Sequence, residues 1–291
     1  MAAKVGPMAT QRPRVVVVGS GRLGGALALS LAARRWPVRV LSRTEEGRRR
    51  AQALGLKPAT PQDLAQARVA LLCVPDKAVS EVAREQARTL GKGAALVHCA
   101  GALSLQALGA PRGRATGSFH PLCAVSDPRD SLAGHAVAIS TRSRALKAVL
   151  QRMAKDLELS VLHVPEARRA AYHAGAVLSA GGAVALMATA VEAMEHAGVS
   201  ADQALAALLP LMRSALRGME ARGLAGGLTG PVVRGDAPVV AAHLQALPEE
   251  VAPVYRLLSL QALRLAEPRL SPEARVALAK LLQVSPGRRR P

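Results

Sequence analysis

The chain has 291 residues, half of them hydrophobic, so it is long enough for one large domain or two ordinary ones and can bury a sizeable core. Its formal net charge of +19 would suit a nucleic-acid partner, but aromatic residues are only 1% of the chain and the basic residues are spread along its length. We therefore interpret the charge as a bias towards arginine and do not expect nucleic-acid binding.

The cysteines and apolar stretches indicate a cytoplasmic protein without a metal site. The three cysteines are odd in number and form no C-x-x-C pair, so neither a disulfide framework nor a structural zinc site is expected. Residues 1–14 lack the apolar core of a signal peptide. The uncharged stretch 174–191 approaches the length of a membrane span, but its many small residues favour a buried helix of a soluble protein.

Residues 13–165 alternate between strand-length apolar runs and helix-length segments. The predicted strands are 14–18, 38–41, 69–74, 94–98, 115–119, 136–140 and 161–164. The helix-length segments between them include 24–34, 76–90 and 142–157. This alternation predicts an α/β domain with a parallel sheet that is covered on both faces.

After Pro165 the sequence shows helical patterns and no strand signal. The predicted helices are 166–197, 201–218, 237–247, 249–267 and 272–282. We therefore predict an all-helical second domain over 166–284, with disordered ends at 1–12 and 285–291.

A glycine-rich loop follows the first strand, which consists of four consecutive valines, and leads directly into a helix. Gly19 allows the tight turn, Gly21 lets the backbone approach a pyrophosphate, and Gly24 lets helix and strand pack closely. The predicted phosphate-binding residues are Gly19, Ser20, Gly21, Arg22, Leu23 and Gly24. This context predicts a Rossmann-type dinucleotide-binding domain, and the alternative is a glycine-rich turn without a ligand.

The end of the second strand favours NADP over NAD. An NAD site places an acidic residue there for the ribose 2′-hydroxyl, whereas this chain has Ser42, Arg43 and Thr44. The two hydroxyls can donate to a 2′-phosphate, and Arg43 can pair with it. Glu45 and Glu46 lie close by, so NAD stays as the alternative.

Three later strand ends supply candidates for the cofactor and the chemistry, because ligands of such folds bind beyond the carboxyl ends of the strands. Val74 and Pro75 follow the third strand and are expected to border the cofactor. Gly101 follows the fourth and would let the backbone approach the nicotinamide. His120 ends the fifth, where it is placed to donate a proton to a developing alkoxide or amine; a structural histidine is the alternative.

The helical half adds three candidate catalytic residues. His173 follows Tyr172 at the start of the uncharged helical stretch. Arg234 could clamp a substrate carboxylate. Asp236 could orient that arginine or a histidine, or it could simply cap the helix that begins near residue 237.

Three further motifs carry a resemblance. The segments Gly-Ser-Phe-His-Pro-Leu at 117–122, Ala-Tyr-His-Ala at 171–174 and Thr-Gly-Pro-Val-Val-Arg-Gly-Asp at 229–236 follow the glycine loop in this order. Over residues 15–263 the chain resembles a bacterial Rossmann-like NADP-oxidoreductase family whose helical second domain has no characterised function. That family is similar in layout to pyrroline-5-carboxylate reductase and to deazaflavin-dependent NADP reductases. The resemblance implies NADP binding and a helical domain that dimerises.

The chain departs from the family pattern at two places. Ala100 stands where the family usually has serine, which removes a hydroxyl beside the expected nicotinamide site. Ala180 and Gly181 stand where it usually has Ser-Asn, and Ser179 could substitute in part. Loss of that asparagine would weaken catalysis or shift the substrate.

Two functions follow from these observations. The first is an NADPH-dependent oxidoreductase that reduces a small carbonyl or imine substrate by hydride transfer. The second, suggested by Ala100 and Gly181, is a catalytically silent NADP-binding sensor or scaffold. Because the uncharged helix needs a cover, we also expect a homodimer through the helical domain.

Overall fold

The computed structural model describes residues 12–109 and 113–283. Contacts divide the chain into two compact units, residues 1–178 and 179–291. The ends predicted to be disordered, 1–12 and 285–291, lie outside the described residues except for Arg12, as does residue 284 at the end of the predicted second domain.

In the described part of the first unit, seven strands form one sheet, with helices between most of them. Its elements are β1 (Val15–Val18), α1 (Arg22–Ala33), β2 (Val38–Leu41), α2 (Glu45–Ala53), α3 (Pro61–Gln66), β3 (Val69–Leu72), α4 (Val79–Thr89), β4 (Ala95–His98), β5 (Thr116–Leu122), β6 (Ala136–Thr141), α5 (Arg144–Asp156), β7 (Ser160–Leu162) and α6 (Arg169–Ser179). Short 3₁₀ helices span Asp76–Ala78, Leu105–Leu108 and Glu166–Arg168. The strand order is β2-β1-β3-β4-β5-β6-β7.

The sheet is mostly parallel, which confirms the predicted fold class, but one strand pair differs. β5 and β6 pair antiparallel, whereas all the other neighbours run parallel. The reason lies in the connection 123–135, which contains no helix. A parallel pair needs a long crossover, whereas a plain loop lets the chain turn back beside the strand it has just left.

The central strands are buried on both faces, because alternate residues along each strand belong to two different hydrophobic clusters. β1, β3 and β4 are buried along their whole length. In β1, Val15 and Val17 join one buried cluster while Val16 and Val18 join the other. Successive side chains of a strand point to opposite faces, so continuous apolar runs fit a sheet that is covered on both sides.

The strand order also determines where a ligand is expected. β2 and β3 flank β1 on opposite sides, so the chain changes direction across the sheet at β1. A crevice forms beyond the carboxyl ends of the strands at such a switch point, and the glycine loop leaves β1 there.

Over its described residues, 179–283, the second unit contains five α-helices: α7 (Gly181–His196), α8 (Ala201–Gly227), α9 (Ala237–Ala246), α10 (Val251–Ala266) and α11 (Pro272–Leu282). A 3₁₀ helix spans Glu267–Arg269. The core of this unit is small: its cluster of buried apolar residues consists of Val232, Val240, Leu278 and Leu282. Where the sequence predicted a helix ending at Gly218, α8 continues to Gly227 with a break at Gly223, whose φ is 70°.

The uncharged stretch departs from the sequence prediction in two ways. The expected single helix over 166–197 is interrupted at Ala180, whose φ and ψ are −103° and −79°. The expected buried helix is exposed: α7 contains no buried residue, and Val184 is 72% exposed. By length and composition Glu166–His196 could cross a membrane, with a mean hydropathy of 1.8 and only 6% of its most apolar window buried.

The division between the units differs from the predicted boundary at residue 165. Contacts assign 166–178 to the first unit. The physical reason is Arg169 of α6, which is buried among the ends of the sheet strands. α6 therefore belongs to the sheet, although its sequence continues the helical pattern that follows it.

Candidate active site

The phosphate loop, residues 19–24, has the tight packing that its glycines predict. Gly19 has a φ of 103°, and a Cβ atom there would overlap the carbonyl oxygen of Cys73. A Cβ atom on Gly24 would overlap the carbonyl oxygen of Gly19. At Gly21 it would meet nothing within 4 Å, so the backbone there is open to an approaching ligand.

The start of α1 fits an anion such as a pyrophosphate. Gly21 caps this helix without a side-chain hydrogen bond, so no side chain in the described ranges competes for the first-turn N–H groups. Unpaired N–H groups and the positive end of the helix dipole attract a phosphate. Arg22 is exposed at the first helical position, and Leu23 packs against the core. The side chain of Val74 lines the loop at Gly19, and Pro75 follows as the cap of the next 3₁₀ helix.

The residues predicted to select NADP are linked to the loop and to α4. Ser42 Oγ donates to Ser20 Oγ at 3.0 Å, and Ser20 Oγ donates to the Gly47 carbonyl at 2.7 Å. Thr44 caps α2 by accepting a hydrogen bond from the Gly47 N–H at 3.1 Å. The triplet is thus structured around the loop, with Ser42 in direct contact with it.

Arg43 has two acidic partners that the sequence analysis missed. Its Nη1 atom lies 3.5 Å from Glu81 Oε1 and 3.3 Å from Glu85 Oε2 on α4. The Arg43 side chain is 42% exposed, and the side chains of both glutamates are more exposed than that. Exposed ion pairs contribute little to stability, so Arg43 can exchange these partners for a phosphate at small cost.

His120 and two residues of α6 form the chemical part of the candidate site. His120 Nδ1 lies 2.8 Å from the Tyr172 hydroxyl. The ring centroids of His120 and His173 are 6.0 Å apart in an edge-on arrangement. A Cβ atom on Gly101 would lie 2.9 Å from His120 Nε2 and would overlap the His173 ring. The two histidines therefore occupy the space where a side chain at position 101 would lie. This explains a glycine at that position independently of the predicted approach to nicotinamide.

Arg169 is a buried cation that the sequence analysis did not single out. Its side chain is 1% exposed, and Nη1 donates to Ser118 Oγ at 3.0 Å while Nη2 donates to the Ala100 carbonyl at 2.9 Å. Its nearest carboxylate, on Glu166, lies 4.0 Å away and is 39% exposed. The only signal in the sequence was its position in the pair Arg168-Arg169, one helical turn before Tyr172. Arg169 fastens α6, and with it Tyr172 and His173, to the sheet.

This cation and burial keep the neighbouring histidines neutral. Burial, His173 and then Arg169 lower the pKa of His120 to about 4. Burial and Arg169 lower the pKa of His98 to about 4, and neither ring nitrogen of that fully buried histidine has a hydrogen-bond partner among the described residues. Burial raises the pKa of Tyr172, which Arg169 partly offsets. We call His98, His120, Arg169, Tyr172 and His173 the His–Arg cluster.

The two remaining candidates lie in the second unit. Asp236 Oδ1 accepts a hydrogen bond from the Val239 N–H at 3.3 Å, so it caps α9, as one of its two interpretations expected. Arg234 is exposed, and within the described part of the chain it has no hydrogen bond or ion pair. The structure therefore brings His120 and His173 together with Tyr172, and assigns Arg234 and Asp236 to the other unit. No group of three or more potential metal ligands occurs within 12–109 and 113–283.

Comparison with known families agrees with this geometry. Residues 14–101 match the family described as NADP oxidoreductase coenzyme F420-dependent, and residues 135–262 match a domain of unknown function, DUF2520. The chain is thus similar to an NADP-oxidoreductase family over its first part and to DUF2520 over its second. This confirms the family resemblance that the three motifs carried. His120 lies between the two matched regions, whereas its partner Tyr172 lies inside the DUF2520 region.

Solved structures share the fold over most of the chain. A Bacteroides fragilis protein provisionally named an NADP oxidoreductase is 26% identical with a TM-score of 0.71, covering 87% of this chain and 98% of that one. A Thermotoga maritima protein is 25% identical with a TM-score of 0.69, covering 88% and 99%. A 1-pyrroline-5-carboxylate reductase from Streptococcus pyogenes is 16% identical with a TM-score of 0.60, covering 87% and 98%, and shows the fold alone. No curated protein matches the sequence.

The two departures from the family pattern now have positions in the structure. Ala100 contributes its carbonyl oxygen to Arg169, a contact that any residue could make. Ala180 and Gly181 lie at the break between α6 and α7, inside the DUF2520 region. A Cβ atom on Gly181 would meet nothing within 4 Å, so the first atom of a side chain would fit there without displacing a neighbour.

Proposed function

We propose that this chain is an NADPH-dependent oxidoreductase that reduces a small carbonyl or imine substrate. The observation that carries the proposal is the 2.8 Å contact between His120 and Tyr172 beside Gly101, in the domain whose phosphate loop fits a pyrophosphate. NADPH would supply the hydride when bound to that loop. The chain's own residues then have to supply a proton and hold the substrate.

His120 acts in this proposal as a neutral imidazole. With a pKa of about 4 it carries no charge near pH 7. If the Tyr172 hydroxyl donates to Nδ1, the ring proton is on Nε2, the nitrogen nearer Gly101. Nε2–H can donate to the alkoxide or amide ion formed by reduction while Nδ1 takes the hydroxyl proton of Tyr172. Tyr172 is half-buried and can regain that proton from solvent. His120 therefore still donates the proton, as the sequence analysis expected, and the added feature is that Tyr172 resupplies it.

Arg234 supports a substrate that carries a carboxylate. It is an exposed guanidinium without a protein partner among residues 12–109 and 113–283, in a loop fixed by the Asp236 cap of α9. A guanidinium binds carboxylates through two parallel hydrogen bonds. We propose that Arg234 binds a carboxylate in this way, and 2-oxo acids and cyclic imino acids are therefore the first compounds to test.

The experiment measures NADPH oxidation against a panel of 2-oxo acids and cyclic imines, together with direct NADPH binding by calorimetry. Turnover that depends on His120 and Tyr172 supports the reductase. The alternative, a silent NADP-binding sensor or scaffold, is favoured by Ala100 and Gly181, which lack polar groups that the family usually has. Tight NADPH binding without turnover of any compound would support this alternative and reject the reductase.

We further propose a homodimer through the helical unit. Large apolar side chains on α7, α8 and α10 are exposed in the single chain, among them Val184 at 72%, Leu211 at 64% and Leu257 at 61%. Such a surface needs a cover, and a second copy is the occupant we propose. Sedimentation velocity at micromolar concentration should give a dimer, and Val184→Glu should yield monomers. A wild-type monomer, or binding to liposomes through this stretch, would reject the dimer.

A further inference from the structure

Two of the three cysteines are neighbours in the sheet, although 26 residues separate them in the sequence. Cys73 directly follows β3 and Cys99 directly follows β4, and the parallel register pairs Leu72 with His98 just before them. Their sulfur atoms are 3.5 Å apart. Adjacent strands lie about 4.8 Å apart, which falls within the range of about 4.4–6.8 Å that disulfides span between Cα atoms.

The two thiols have different environments. Cys99 is only 5% exposed, whereas Cys73 is half-buried and is the more accessible of the two. The contact with the Cys73 sulfur and burial raise the pKa of the Cys99 thiol well above its usual value. Cys73 is therefore the thiol that would react first, and Cys99 the one that would resolve the product.

Cys73 also supports the phosphate loop. Its carbonyl oxygen occupies the space where Gly19 would carry a side chain, and its Cβ atom lies 3.1 Å from the corresponding point on Gly24. The loop and Cys73 are thus packed without clearance. A disulfide bond is about 2.05 Å long, so the sulfur atoms would have to approach each other by more than 1 Å. A shift of Cys73 would displace the loop residues that pack against it.

We propose that Cys73 and Cys99 form a reversible disulfide and that this bond weakens dinucleotide binding at the loop. The second half rests on the proposed dinucleotide site. The oxidant is a low-molecular-weight disulfide such as oxidised glutathione. The Cys73 thiolate attacks one of its sulfurs and releases one glutathione thiol; the Cys99 sulfur then attacks the mixed disulfide, loses its proton and releases the second. Two protein thiols are oxidised and one glutathione disulfide is reduced to two thiols.

The test equilibrates the full chain in glutathione redox buffers and maps the disulfides by non-reducing peptide mass spectrometry. We expect an intramolecular Cys73–Cys99 peptide, a dissociation constant for NADP⁺ at least tenfold higher in the oxidised protein, and recovery on reduction. Cys123→Ser, which removes the third cysteine, should respond like wild type. Cys73→Ser should bind NADP⁺ equally well before and after the same treatment, because it lacks the thiol that starts the exchange and Cys99 is only 5% exposed.

A reciprocal measurement strengthens the test. If the disulfide weakens NADP⁺ binding tenfold, saturating NADP⁺ must make the disulfide tenfold harder to form, a shift of about 30 mV in its midpoint potential. Mixed glutathione adducts alone, or free thiols throughout, would overturn the disulfide. A disulfide without any change in affinity would overturn its coupling to the loop. If the reduced protein binds no dinucleotide, the proposed function fails while peptide mapping still decides whether the disulfide forms.

Discussion

The phosphate loop and the His–Arg cluster belong to the same sheet but are assembled in opposite ways. The loop is six consecutive residues, and its geometry depends on which of them lack side chains. The cluster gathers His98 from β4, His120 from β5 and three residues of α6, held by the buried guanidinium of Arg169. The geometry of the loop depends on its backbone, whereas the cluster consists of side chains that lower the pKa values of His98 and His120.

This difference separates the two candidate functions. A sensor that only holds NADP needs the loop and has no use for two histidines that burial and a neighbouring cation keep neutral. Among the described residues Arg169 is buried with no carboxylate closer than 4.0 Å and His98 is buried without hydrogen-bond partners, and both features cost stability. Such costs are typical of sites where perturbed pKa values serve chemistry. The cluster therefore favours the reductase over the silent alternative.

The largest expected effect comes from breaking the cluster at His120 while leaving the loop intact. His120→Gln should lower kcat about 10²–10⁴-fold, the usual contribution of a positioned proton donor. Its NADPH dissociation constant should stay within about twofold of wild type, because the loop is unchanged. Steady-state kinetics on any substrate found in the panel and calorimetry with NADPH measure the two quantities.

Tyr172→Phe tests whether the pair works as a relay. Removing the hydroxyl deprives His120 Nδ1 of its 2.8 Å partner while retaining the ring. We expect a smaller loss of kcat than for His120→Gln and a changed dependence of kcat on pH. If both variants retain the wild-type rate, the proton does not pass through this pair.

The opposite experiment breaks the loop and leaves the cluster intact. In Gly24→Ala the new methyl group would overlap the Gly19 carbonyl, so the backbone has to move, and we expect a loss of about 3 kcal/mol in the free energy of unfolding. Gly21→Ala is the matched control, because its methyl group meets no protein atom within 4 Å. It should change stability by less than about 1 kcal/mol but weaken NADPH binding. Urea unfolding and calorimetry decide, and equal stability losses in both variants would refute this assignment of glycine roles.

The cluster also predicts how stability depends on pH. In the folded chain the pKa values of His98 and His120 are about 4, below the ordinary 6.5. Between those values the unfolded chain binds protons that the folded chain does not, so stability is full above pH 6.5 and is lost as pH falls towards 4. Lowering the pH from 7.5 to 5 should cost about 2 kcal/mol per histidine.

Urea unfolding at the two pH values measures this cost, and 0.5 M salt reduces the general repulsion expected at a net charge of +19. His98→Gln removes one of the two titrating groups, so its loss of stability should be about half that of wild type. An unchanged pH dependence in this variant would mean that His98 is not held neutral.

The same contrast explains what the sequence could predict. The loop, the alternation of strands and helices, and the glycine roles depend on neighbouring residues and on backbone sterics, so a local pattern contains them. The pairing of β5 with β6 depended on the absence of a helix in 123–135, which is also visible in the sequence but was outweighed by the alternating pattern. His120 and His173 were singled out one by one, from their positions next to strand or helix ends.

What the sequence could not supply is the partnership between distant residues. Arg169 is one of many arginines in the chain, and only the fold buries it against Ser118 and the Ala100 carbonyl. The acidic partners of Arg43 come from α4, about 40 residues away, and the Cys73–Cys99 pair comes from two strands. The exposed surface of α7 was misjudged because an apolar sequence indicates that a helix needs a cover without indicating what covers it.

The smallest expected effect concerns the specificity of the loop for its cofactor. Arg43→Asp should weaken NADPH binding about tenfold and leave NADH binding unchanged or slightly stronger, because a carboxylate suits a ribose hydroxyl and repels a 2′-phosphate. Thermal stabilisation by each cofactor ranks the affinities without a known substrate. Arg49→Asp makes the same change of charge on α2 and should affect both cofactors alike.

The double variant Glu81→Gln with Glu85→Gln sharpens the test. It removes the carboxylates that pair with Arg43, so NADPH binding should become severalfold tighter. If neither Arg43→Asp nor the Glu81→Gln/Glu85→Gln double variant changes the ratio of NADPH affinity to NADH affinity, Arg43 does not contact the 2′-phosphate.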